Sequence, residues 1–182
     1  MIRATRRNVL GAATLGMAAI PTVSGLAAWR WRHGDSRVLL HDAGLSGGER
    51  FAAAAQRHGT ASTAITGDRV RFTRQILADR PALVAGVTRH ADQLMIEDVA
   101  REQGYMRAAL LHGKQGQCSG LECRQGWNGV GRIARHAGSD WIDALAEFAI
   151  APAEAGAKAL AQSAAQAVDP GLILGWVLVP RG

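Results

Sequence analysis

Ala82-Leu83-Val84-Ala85-Gly86-Val87 is an unbroken apolar run, and its reading decides the fold. Pro81 stands before it, and Thr88 follows as a residue able to cap a helix. A short apolar run between such signals reads as a strand buried on both faces. Thr88 is expected to cap a helix with a buried stripe of Ala91, Leu94, Met95 and Val99, and Glu97 faces Arg101 one turn on. Gly104 should end that helix, and Tyr105 to Leu111 should be the next strand.

The same alternation appears upstream. Arg37 to Asp42 reads as a first buried strand. Ser46 can cap a helix whose inner face is Phe51, Ala54, Ala55 and His58, stopped by Gly59. Ala61 to Ile65 reads as a strand, and Arg69 to Asp79 as a basic amphipathic helix stopped by Pro81. Strand and helix alternating over residues 37–111 predicts an α/β domain. The expectation is a small three-layer fold with a mostly parallel sheet of about five strands, flavodoxin-like or related, and a helical C-terminal part.

His112 to Trp127 breaks the pattern. It is rich in Gly and Gln, carries Cys118 and Cys123, and reads as a long loop of the kind that is functional or disordered. Beyond it, Gly129 to His136 suggests a short helix. Ser139 precedes a helix with Trp141, Ile142, Leu145, Phe148 and Ala149. Ala153 to Val168 suggests an alanine-striped helix, and Leu172 to Val179 a last apolar strand.

The N-terminus carries an address. Arg3, Arg6 and Arg7 precede an uncharged run from Val9 to Ala28, broken by Pro21, with small residues suited to cleavage after Ala27. Thr5, Arg6, Arg7 and Leu10 match the Ser/Thr-Arg-Arg-x-Phe-Leu pattern, with Val9 in place of Phe. This stretch resembles a twin-arginine export signal. The resemblance implies the twin-arginine translocation machinery as a partner and a periplasmic or exported destination. Residues 9–28 are also long enough to stay uncleaved as a membrane anchor, with Trp29 and Trp31 at the interface. The division is then a signal or anchor at 1–27, a linker at 28–36 and one domain at 37–182.

In an oxidising compartment, two cysteines separated by a four-residue spacer favour a Cys118–Cys123 disulfide over a metal site. A zinc cluster of His112, Cys118, Cys123 and His136 fits no known spacing, so no metal is assigned. The formal charge of +6 falls to +3 once Arg3, Arg6 and Arg7 leave, and no basic run follows Arg32. Nucleic acid is therefore not an expected partner.

In parallel α/β sheets, ligands bind beyond the carboxyl ends of strands, at helix N-termini. Asp42, Ser46, Gly47, Thr88 and Arg89 would gather there, with His41, Thr66 and His90 nearby. Asn128-Gly129-Val130-Gly131-Arg132-Ile133-Ala134 is similar to the dinucleotide turn of glyceraldehyde-phosphate dehydrogenases. That fingerprint must follow a strand, and Glu122 to Trp127 makes a poor one. No catalytic motif stands out, and no cofactor is specified. The sequence therefore suggests an exported accessory or binding protein, for instance a small partner subunit of a periplasmic oxidoreductase. A small-ligand binder or enzyme using the strand ends is the alternative, and thiol redox at the cysteines a weaker one.

Overall fold

The computed structural model describes residues 32–114, 117–124, 127–150 and 172–181. The leader residues Thr5, Arg6, Arg7 and Leu10, the 9–28 run and the 153–168 segment lie outside the described residues. β1 (Arg37–His41) leads into α1 (Ser46–Arg57), β2 (Thr63–Ala64), α2 (Arg69–Ala78), β3 (Leu83–Arg89) and α3 (His90–Glu102). β4 (Tyr105–Lys114) and β5 (Gln117–Cys123) follow. α4 (Asn128–Ala137), a short 3-10 turn (Gly138–Asp140), α5 (Trp141–Ile150) and β6 (Ile173–Pro180) complete the order.

The punctuation of the sequence accounts for most of these boundaries. Gly59 and Gly104 take the left-handed conformation, with φ of +73° and +82°, just past α1 and α3. The Asp68 carboxylate caps α2 by accepting from the backbone N–H groups of Val70 and Arg71. Two expected caps are not caps. Ser46 is the first residue of α1, after Leu45. Thr88 belongs to β3, which runs on through Arg89 because Thr88 and Arg89 pair with Leu174 and Ile173 of β6.

The later start of α3 comes with a different inner face from the one expected. Gln93, Ile96, Val99 and Ala100 are buried, whereas Leu94 and Met95 are 48% and 45% exposed. The buried Gln93 amide is satisfied on one side only: its Nε2 donates to Glu97 Oε2 at 2.5 Å, while its Oε1 has no partner among the described residues.

The sheet is mixed rather than mostly parallel, with strand order β2-β1-β3-β6-β4-β5. β1, β2 and β3 are parallel neighbours. β6 then enters antiparallel between β3 and β4, and β5 pairs antiparallel with β4. A strand formed last in sequence thus lies inside the sheet. Its composition explains the position: Ile173 to Val179 is buried throughout, with Val177 and Val179 in one core and Leu174, Trp176 and Leu178 in the other. Only an interior strand buries both its faces.

The expected three layers are present. α1, α4 and α5 cover one face over a core holding Phe51, Leu111, Trp141, Leu145 and Phe148. α2 and α3 pack together on the other, over Leu40, Leu77, Ile96 and Trp176. Arg50 fastens the first face by bonding Asp140 at 2.6 Å and also Asp143, bridging α1 to the start of α5. Arg69 joins α2 to α3 through Asp92 at 2.9 Å.

The stretch expected as a long loop is mostly a β-hairpin. β4 continues to Lys114, and Lys114 pairs with Gln117 across the two intervening residues. This corrects the disulfide expectation. Cys118 and Cys123 lie on one strand, opposite Gly113 and Ala109. The four residue steps of extended chain from Ala109 to Gly113 span roughly 13 Å, against a limit of ~7 Å between bridged Cα atoms. Cys123 is a free thiol.

Candidate functional site

Of the strand-end residues, Asp42 and Arg89 come together and bond each other. Asp42 follows β1 and is only 6% exposed. Its Oδ1 accepts the Gly44 N–H at 2.8 Å, and its Oδ2 accepts Arg89 Nη1 at 2.6 Å. Arg89 Nη2 also donates to the Gly44 carbonyl at 3.2 Å. The Asp42 backbone is engaged too: its N–H donates to Val87 O and its carbonyl accepts from Leu45 N–H, both at 3.1 Å. Both carboxylate oxygens are therefore used in closing the β1–α1 loop onto the end of β3.

The helix N-terminus is equally occupied. A Cβ placed on Gly48 would lie 2.0 Å from the Asp42 carbonyl oxygen, so α1 packs directly against the loop backbone. Ser46 is exposed and Gly47 buried, and both are engaged within the fold. Thr88 is fully buried, and its hydroxyl accepts the Trp176 indole N–H at 3.0 Å. His41 Nδ1 meets Ser62 Oγ at 2.9 Å. Thr66 and His90 are exposed.

The opposite end of the sheet is open. β5 stops at Cys123, opposite Ala109, whereas β4 begins at Tyr105. The mismatch in strand length leaves a cleft of about 870 Å³ beside the first residues of β4. α3 contributes Arg101 to its wall, β4 contributes Arg107, and Arg124 and Arg181 come from the chain just after β5 and β6. Among the described residues, a single carboxylate, Glu97, lines it. Glu97 accepts from Arg107 at 2.9 Å and faces Arg101 at 3.6 Å, so its charge is already shared. Sequence reading missed this site because its arginines are scattered along the chain and only the sheet gathers them.

Cys123 also borders the cleft. Burial pushes its thiol up, partly offset by a backbone hydrogen bond from Gly131 and by Arg135. A nucleophilic or redox thiol requires the opposite shift. Among the described residues, no three His, Cys, Asp or Glu side chains are grouped to hold a metal. Gly129 and Gly131 lie inside α4, not in a turn. A strand does precede them, since β5 ends at Cys123, but the glycines are not where a dinucleotide turn needs them.

Fold and site together define a three-layer α/β protein with a mixed sheet, a sealed carboxyl edge and an arginine-lined cleft at the other edge. No family model, curated protein or solved structure matches the chain. Among the described residues, no helix is long and apolar enough to cross a membrane.

Proposed function

We propose that this chain is an exported accessory or binding protein rather than an enzyme acting at its strand ends. The observation that carries the reading is the use of both Asp42 oxygens, the Gly44 N–H and the Thr88 hydroxyl inside the fold. A catalytic edge would leave such groups facing a cavity. The twin-arginine-like leader at Thr5 to Leu10 supports delivery of a folded body to the periplasm, with or without the 9–28 run retained as an anchor. A folded passenger with no catalytic constellation among its described residues suits a small subunit travelling with a periplasmic oxidoreductase.

Two experiments test this. Arg6 and Arg7 are both replaced by Lys in cells, and export should be lost. Native protein is then purified from the periplasm, where a stoichiometric oxidoreductase partner should accompany it. Undiminished export, or a lone monomer with no associated enzyme, counts against the proposal. The rival reading of a small-ligand binder retains support from the 870 Å³ cleft, placed at the other edge from the one the sequence suggests.

A further inference from the structure

We infer that the cleft between α3 and the short end of β5 is a binding site for a small organic polyanion carrying phosphate or carboxylate groups. This goes beyond the accessory role and depends neither on export nor on a partner enzyme.

Charge is the first argument. Among the described residues, four arginines line the cleft against one carboxylate. Arg107 and Arg101 share Glu97, and Arg101 also bonds Asp98 at 2.9 Å. Among the described residues, Arg124 and Arg181 have no carboxylate partner. Arg124 rests its Nη1 on Met106 Sδ at 2.7 Å, a weak acceptor for a guanidinium. Two guanidinium groups without a carboxylate partner among the described residues, lining one cleft, favour a ligand with at least two anionic groups. Arginine forks bind carboxylate and phosphate in the same bidentate geometry.

Position and shape are the second. The backbone on which Arg181 stands is fixed, because its N–H donates to the Gly104 carbonyl at 2.8 Å. Arg124 is held likewise, its N–H donating to the Ala108 carbonyl at 2.9 Å. The two therefore project from anchored main chain on either side of β4. Ala100 and Leu178 supply apolar wall between them. The cleft is open to solvent, and its volume of about 870 Å³ leaves room for a small molecule.

The test is titration calorimetry on the full-length protein with citrate and with pyrophosphate as probes, at ionic strength held constant with sodium chloride. Saturable binding of at least one probe is expected. Its affinity should fall at least tenfold in Arg124→Gln/Arg181→Gln and stay unchanged in Arg71→Gln, which alters an exposed arginine on α2. Each single variant should lose part of the affinity, which keeps the test usable should the pair fail to fold. A preference for citrate marks a carboxylate ligand and a preference for pyrophosphate a phosphate one. No saturable heat with either probe, or affinity that survives in the paired variant, overturns the inference.

Discussion

The indole N–H of Trp176 on β6 donates to the hydroxyl of Thr88 on β3 at 3.0 Å, and both side chains are buried. The bond reaches diagonally across Gly86, which pairs directly with Trp176. A Cβ on Gly86 would sit 2.5 Å from the indole Cζ2 and 3.0 Å from the Leu40 carbonyl. The ring therefore fills the place a side chain would take. Gly86→Ala should lower unfolding stability by about 1–3 kcal/mol through overpacking. Thr88→Val keeps the shape but orphans the indole N–H, and should cost about 1–3 kcal/mol. Urea unfolding followed by tryptophan fluorescence measures both.

The Asp42–Arg89 pair should behave as a structural latch. Its carboxylate side chain is 8% exposed while the arginine is 51% exposed. Arg89→Ala is expected to cost about 1–2 kcal/mol, toward the low end for a charged partner because half of the guanidinium already faces water. Asp42→Asn combined with Arg89→Ala should cost less than the two separately, since the changes share one contact. A double-mutant cycle by denaturant titration checks this; strict additivity would contradict the latch.

Both cysteines should remain available as thiols. Protein purified without reductant and then unfolded should contain no Cys118–Cys123 crosslink by peptide mass mapping. Reductant should leave its melting temperature unchanged. A crosslinked peptide would mean that β5 is not extended as described.

Alkaline pH should destabilise the fold through two groups. Burial raises the Cys123 thiol, and burial raises the Tyr105 phenol against a smaller lowering by Arg80. Each stabilises the fold in its neutral form. That contribution is fully present below the ordinary values of about 8.5 and 10, and is lost as pH rises through the raised ones. Urea midpoints should hold from neutral pH and fall above about pH 9. Cys123→Ala should flatten the earlier part of that fall. Tyr105→Phe removes the later part, but also costs about 1 kcal/mol at neutral pH by freeing the Pro81 carbonyl, which the phenol meets at 2.7 Å.

Residues 37–111 were largely legible, because local signals and tertiary packing agree there. Gly59 and Gly104 end helices where expected, and Leu83 to Val87 lies in a buried strand. What escaped is information that no local stretch encodes. The run from Leu172 to Val179 announces a buried strand but not its direction or its neighbours, so its entry between β3 and β4 was unreadable. Extension of β3 through Arg89 depends on that same neighbour, and so does the start of α3. A hairpin at Lys114 to Gln117 was within reach, since two residues including Gly116 separate two runs. The polar Gln117 to Cys123 lacked the β-branched residues that would have marked it as a strand.

The candidate site divides in the same way. Proximity of Asp42, Ser46, Thr88 and Arg89 followed from the topology of strand ends. Whether they face a ligand or one another is decided by single hydrogen bonds, and these close the edge. The cleft arises from unequal lengths of β4 and β5, and its arginines share no motif.

Amide chemical shifts during titration with citrate and pyrophosphate test the account most directly, because they report both edges of the sheet at once. The prediction is saturable movement of Arg101, Tyr105, Arg107, Arg124 and Arg181, with Asp42 to Leu45 and Thr88 to His90 unmoved. Movement of the second group instead, or of neither, would contradict it.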